Sequence, residues 1–219
     1  MRSTMMAVAL VAGLAAMPAS AQQRGQGWSA LGAQTVGDGA LALHVEGGFP
    51  GLQLGFLAGL GQVDLGARVG FNYQFEGFTH RYYQISGLRG QGLLRVNLLK
   101  SRSVNLALRF EPGFFTYFTR NATDVGLILP AGITLGLPVS SALNVALTFD
   151  VPLFVLWGDE IGGWGQDGVY VPIEFGAGLE YFLDRNIALT AQTKMGPALR
   201  PYGGAEFALQ FLVGVAFKF

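Results

Sequence analysis

His44 and Glu46 stand two apart in a stretch whose apolar residues are Leu41, Leu43, Val45 and Phe49. His-x-Glu is half of a zinc-deaminase signature, in which Cys supplies the other ligands and Glu moves the proton. This chain has no Cys, and a zinc site needs three or four ligands. No metal and no cofactor is therefore expected, and His44 with Glu46 reads as part of an internal ion-pair network. Gly163-Trp164-Gly165-Gln166-Asp167-Gly168 fits the spacing G-x-G-x-x-G. A dinucleotide site needs a strand before that motif and a helix after it. Here a strand-like pattern follows, so the motif reads as a Gly-rich loop. Asp159, Glu160 and Asp167 in the same loop could hold a divalent cation weakly, or form a solvated acidic loop.

The remaining charges are informative through their placement. Apolar residues recur at every second position over ten segments, which is the period of a β-strand with two unlike faces. The segments are 40–49, 52–60, 65–76, 87–99, 103–117, 126–137, 142–157, 169–182, 187–196 and 205–219. Glu46, Arg68, Glu76, Arg89, Arg95, Arg109, Glu111, Asp150, Glu174, Glu180, Lys194, Glu206 and Lys218 all fall on the face opposite the apolar set. Asp64, Lys100, Arg102, Asp184 and Arg185 read as tight-turn residues. Residues 22–39 are polar and Gly-rich without a period, and read as a flexible N-terminal tail in which Trp28 could touch a membrane interface.

Alternation alone does not say which face points inward. A soluble barrel or sandwich would turn the apolar face in. A barrel in lipid turns it out and keeps a polar lumen. Half the residues are apolar (51%) and 13% are charged, with 33 Gly. Outside the N-terminal stretch there is no apolar run long enough for a membrane helix. The lipid-facing barrel is the reading these features favour. Connections near 62, 101, 140 and 185 look tight and those near 80, 122, 163 and 200 longer, the asymmetry of outer-membrane barrels. The tight hairpin at Pro50-Gly51 departs from it.

Both termini fit export. Arg2, the apolar stretch Met5 to Met17 and Ala19-Ser20-Ala21 have the form of a secretory signal with cleavage after Ala21. The final segment reads AEFALQFLVGVAFKF and closes on Phe219. In these two places, and in pattern over 40–219, the chain resembles the small bacterial outer-membrane β-barrel proteins, the OmpA- and porin-like group. The resemblance implies a Gram-negative outer membrane and lipid as a partner. It also implies recognition by the barrel-assembly machinery through Phe211, Val213, Val215, Phe217 and Phe219.

The expected organisation is a signal peptide (1–21), a flexible periplasmic tail (22–39) and an all-β, antiparallel, up-and-down transmembrane barrel (40–219) of about ten strands. The count becomes eight if the first two segments do not join the wall. With near-zero net charge and no basic run, nothing suggests nucleic acid, and no nucleic-acid partner is expected. Leu93, Phe154, Leu156, Phe182 and Leu212 share the polar face, and the lumen charges nearly balance. That combination favours a narrow or plugged lumen with a structural or interaction role. The alternative is a porin-like channel for ions or small solutes. A lipid-modifying enzyme would need His with Ser or Asp at the rim, and His80 beside Arg81, Tyr82, Tyr83 and Ser86 reads better as an interfacial aromatic cluster. No enzyme activity is expected. Neither a particular solute nor an oligomeric state has a signature in these residues.

Overall fold

A computed structural model of the chain describes residues 26–74, 86–101, 103–118, 123–157, 168–199 and 205–219, with the backbone alone for 205 and 206. The signal-like stretch, His80 and its neighbours, Glu76, and the loop with Asp159, Glu160 and Asp167 lie outside the described residues. The strands are β1 (Leu41–Phe49), β2 (Gly51–Leu60), β3 (Val63–Asn72), β4 (Ser86–Lys100), β5 (Asn105–Phe110), β6 (Gly113–Phe118), β7 (Thr123–Pro138), β8 (Leu143–Trp157), β9 (Gly168–Pro172), β10 (Glu174–Phe182), β11 (Ile187–Leu199) and β12 (Ala205–Lys218).

All pairings are antiparallel, and β12 returns to pair with β1, Val215 opposite Val45. β5 and β6 both lie between β4 and β7, as two halves of one wall strand. β9 and β10 likewise lie between β8 and β11. The wall is thus a closed antiparallel barrel of ten strands, and closure leaves no sheet edge unpaired. The first two segments join it, joined by a hairpin whose Phe49–Pro50 peptide is cis.

Both interruptions of the wall strands fall at proline, Pro112 between β5 and β6 and Pro172 at the end of β9. Pro112, Pro130, Pro152, Pro172 and Pro197 fall in one transverse row on consecutive wall strands. Proline has no N–H to give a ladder. Pro130 accepts from Glu111 N at 2.9 Å but returns nothing, and the Glu111 carbonyl is met instead by Gln91 Nε2 at 3.1 Å. A lumen side chain replaces the missing backbone bond.

Orientation is resolved by exposure. Leu54, Phe56, Val69, Leu147, Phe175 and Phe211 are exposed, and so are apolar side chains on every wall strand. Glu46, Arg95, Glu111, Asp150, Glu174 and Glu180 are buried. The apolar face therefore points outward and the charged face inward. The connections differ in part from expectation. Residues 119–122 join β6 to β7 with a link no longer than the turn 139–142, because β7 begins at Thr123. The asymmetry of loop length rests on 73–85 and 158–167.

Candidate functional site

The lumen is filled in three levels. The lowest, at the end with the tight turns 61–62, 101–104, 139–142 and 183–186, holds the N-terminal segment. Residues 26–38 do not form the loose tail that their composition implies. Trp28, Ser29, Ala33 and Val36 are fully buried, and Trp28 stacks edge-on against Phe182 at 5.4 Å. Trp28 thus sits inside the barrel, away from any outer interface, and its Nε1 donates to Arg185 O at 2.8 Å. Trp28 and Val36 pack with Ala42, Leu57, Leu93, Phe182, Ala188 and Ala216. Gly37 and Gly39, at φ 103° and 68°, reverse the chain from the lumen into β1, a conformation side chains rarely adopt.

A segment without a period has no ladder to satisfy its backbone, so the lumen must do so. Arg95 is buried and gives Nη1 to Gly32 O (2.8 Å) and Nη2 to Ser29 O (2.8 Å), while its Nε meets Asp64 Oδ2 (2.8 Å). Asp64 in turn accepts from Val36 N at 3.1 Å. Glu180 accepts from Ala30 N (2.7 Å), Leu31 N (3.0 Å), Asn144 Nδ2 (2.6 Å) and the Ser29 hydroxyl. Asn97 Nδ2 donates to Ala33 O at 2.8 Å, and Thr35 Oγ1 to Gly61 O at 2.8 Å. The arrangement reads a backbone turn with two charged side chains, one for carbonyls and one for amides.

The middle level carries the charge network. Glu111 bridges Arg68 (3.0 Å) and Arg109 (3.6 Å). Asp150 bridges Arg109 (2.6 Å) and Lys194 (2.9 Å). Glycine makes room for these groups: a side chain at Gly132 would overlap the Asp150 carboxylate, and one at Gly55 the His44 ring. Glu46 is held by neutral donors, Gln53, Gln192 (2.9 Å) and Thr190 (3.3 Å). His44 joins no ion pair; neither ring nitrogen meets a partner among the described residues. His44 and Glu46 therefore do not act as a pair. Among the described residues no three His or acidic groups gather as a metal site.

The upper level is apolar. Phe115, Tyr117, Ile128, Phe154, Leu156 and Tyr170 pack together with Ala198 and Ala208. Ring centroids of Phe154 lie 5.7 Å from Phe115 and 5.6 Å from Tyr170. Arg89 reaches this cluster with its guanidinium 6.0 Å from the Phe154 ring, within cation–π range.

The other expected residues fall as follows. Glu174 faces inward, opposite Asp150, and is buried. Lys218 is partly buried at the rim near Gly37, away from the ion pairs. Glu206 pairs through its backbone with Ala198. Phe211, Val213 and Phe219 are exposed on the outer face, and Val215 and Phe217 are partly exposed. Asp64 is the main residue sequence reasoning missed. It belongs to β3, not to a turn, and parity with Arg68 is the signal that places it in the lumen. Asp124 is similar: it lies in β7, in step with Gly126 and Ile128, and is buried.

No model of a known protein family matches the chain, and no curated protein matches it.

Proposed function

We propose that the protein is an integral outer-membrane barrel whose lumen is closed by its own N-terminal segment, an ion-pair layer and an aromatic cluster. One observation carries this reading: exposed apolar side chains cover the outside while the charges are spent inside. Soluble monomers seldom expose continuous apolar surface of more than a few hundred Å², whereas a lipid-facing wall requires it. The role is structural or interactive, with lipid as the outer partner and no catalytic chemistry. A porin-like channel is the lesser reading, because the lumen side chains and residues 26–38 occupy the space a solute would need. The resemblance noted above supports export through a cleaved leader at 1–21 and assembly through the Phe211–Phe219 face.

Folding into lipid vesicles tests the reading. Leu147 is exposed on the outer face of β8, the fifth of its 15 residues. Leu147→Arg is expected to cost about 2–4 kcal/mol of folding stability in bilayers, and Leu147→Phe almost nothing. Equal stability of the two variants in bilayers would reject the lipid-facing wall.

A further inference from the structure

The transverse row of prolines breaks the backbone ladder to different degrees along its length. Three of the breaks keep a bond. Gly92 N donates to Pro112 O at 2.8 Å, Glu111 N to Pro130 O at 2.9 Å, and Ile173 N to Pro197 O at 2.8 Å. Between β8 and the wall strand made of β9 and β10, the ladder stops at Asp150–Glu174 and resumes at Phe154–Tyr170. No backbone pairing among the described residues joins 151–153 to 171–173.

Parity explains this gap. In an antiparallel pair, bonded and non-bonded positions alternate. Phe182 N donates to Ala142 O at 2.8 Å, so in this register the even-numbered residues of β8 turn their N–H and C=O toward β9 and β10. Val139 N donates to Leu143 O at 2.9 Å, so the odd-numbered residues turn theirs toward β7. Pro152 and Pro172 fall opposite each other on a bonded position. Neither has an N–H, so both bonds of that position are missing. Pro130 also stands opposite Pro152, but there the position is non-bonded, and β7 pairs with β8 without a break from Val125–Trp157 to Pro138–Asn144. The gap from residue 150 to 154 is about 13 Å long at roughly 3.3 Å per residue.

Side chains brace the two strands where the backbone does not. Inside and above the gap, the Phe154 and Tyr170 rings of the apolar upper level lie 5.6 Å apart. Outside and below it, Phe149 and Phe175 lie 5.2 Å apart, with Phe175 exposed. A wall in hydrocarbon has no water to replace broken backbone bonds, so parting its strands is costly wherever a ladder runs. Parting 151–153 from 171–173 breaks no backbone bond.

We propose that the wall opens locally at this seam, so that residues 151–153 and 171–173 part while the rest of the barrel stays closed. The opening joins the aromatic level of the bore to the outer face. Where that face meets lipid, a point that rests on the function proposed above, the bore is reached sideways from hydrocarbon and from neither end.

Amide hydrogen exchange on the full barrel in detergent micelles, resolved by residue with NMR, tests the seam. β8 carries its own control. Val151 and Leu153 donate to β7 in the unbroken ladder, whereas Asp150 and Phe154 donate at the edges of the gap. The amides of Asp150, Phe154, Tyr170 and Glu174 are expected to exchange at least about tenfold faster than those of Val151 and Leu153 at the same depth. Pro152→Ala returns an N–H opposite Pro172 and should slow those four amides about tenfold. Val151 and Ile173 are opposite each other on the outer face at a non-bonded position, a separation that a disulfide spans. The oxidised double variant Val151→Cys, Ile173→Cys should abolish the difference, and reduction should restore it. If neither variant folds, the wild-type pattern decides. Equal protection of odd and even amides over 150–154, or a difference that persists under the disulfide, would overturn the opening. Leu147→Arg bears on the lipid-facing wall alone, so the two readings fail separately.

Discussion

The two ends of the lumen are closed by opposite means. At the tight-turn end, Arg95, Asp64, Glu180 and Asn97 hold a chain segment by its backbone, and Asn144 braces Glu180. At the other end, the packed rings of Phe115, Tyr117, Phe154 and Tyr170 fill the bore, with Asn72 Nδ2 donating to the Tyr117 hydroxyl at 3.3 Å and Arg89 over the Phe154 ring. The difference lies in what each end costs to break. Removing one member of a buried charged clamp leaves its partner uncompensated. Trimming one ring leaves a void whose neighbours partly relax. The clamp therefore fixes one arrangement of the N-terminal segment, whereas the aromatic end tolerates repacking among residues of similar volume.

The largest expected effect is at the clamp. Arg95→Ala strands a buried Asp64 and the carbonyls of Ser29, Ala30 and Gly32, and should cost about 3–5 kcal/mol in denaturant unfolding. The same variant should expose residues 26–38 to protease while the wall stays resistant. Loss of less than about 1 kcal/mol would mean that the clamp contributes no more than a surface pair. Phe154→Leu at the aromatic end should cost about 1–2 kcal/mol and leave residues 26–38 protected. Protease sensitivity of the N-terminal segment in that variant would show that the two ends are coupled. Ser29→Ala gives the smallest effect. It removes the hydroxyl between Glu180 and Gly32 N and should cost about 1 kcal/mol, because Ala30 N, Leu31 N and Asn144 still meet Glu180.

The same contrast explains what the sequence discloses. A ring such as Phe154 declares its face through a period of two, and so do Arg95 and Glu180. The wall and the inward set therefore follow from alternation. The N-terminal segment has no period, because its backbone is satisfied by side chains far away in sequence. Ser29 and Glu180 meet across 151 positions, and Arg95 and Gly32 across 63. Which lumen charge meets which partner depends on the stagger of the strands, which alternation does not specify. Asp64 is hidden for a local reason: it stands beside the turn at Gly61, where strand and turn residues look alike. His44 shows the opposite limit. Its position in the lumen is legible, but not that its ring lies over Gly55 and meets no hydrogen-bond partner among the described residues.

A lipid-facing barrel closed at both ends of its bore should not conduct. Single-channel recording in planar bilayers tests it most directly, on wild-type protein whose folded insertion is first verified by protease protection in the same lipid. The closed lumen predicts no large, steady conductance for the inserted wild type. A large, voltage-independent step from correctly inserted wild-type barrels would contradict the account and establish the channel reading in its place.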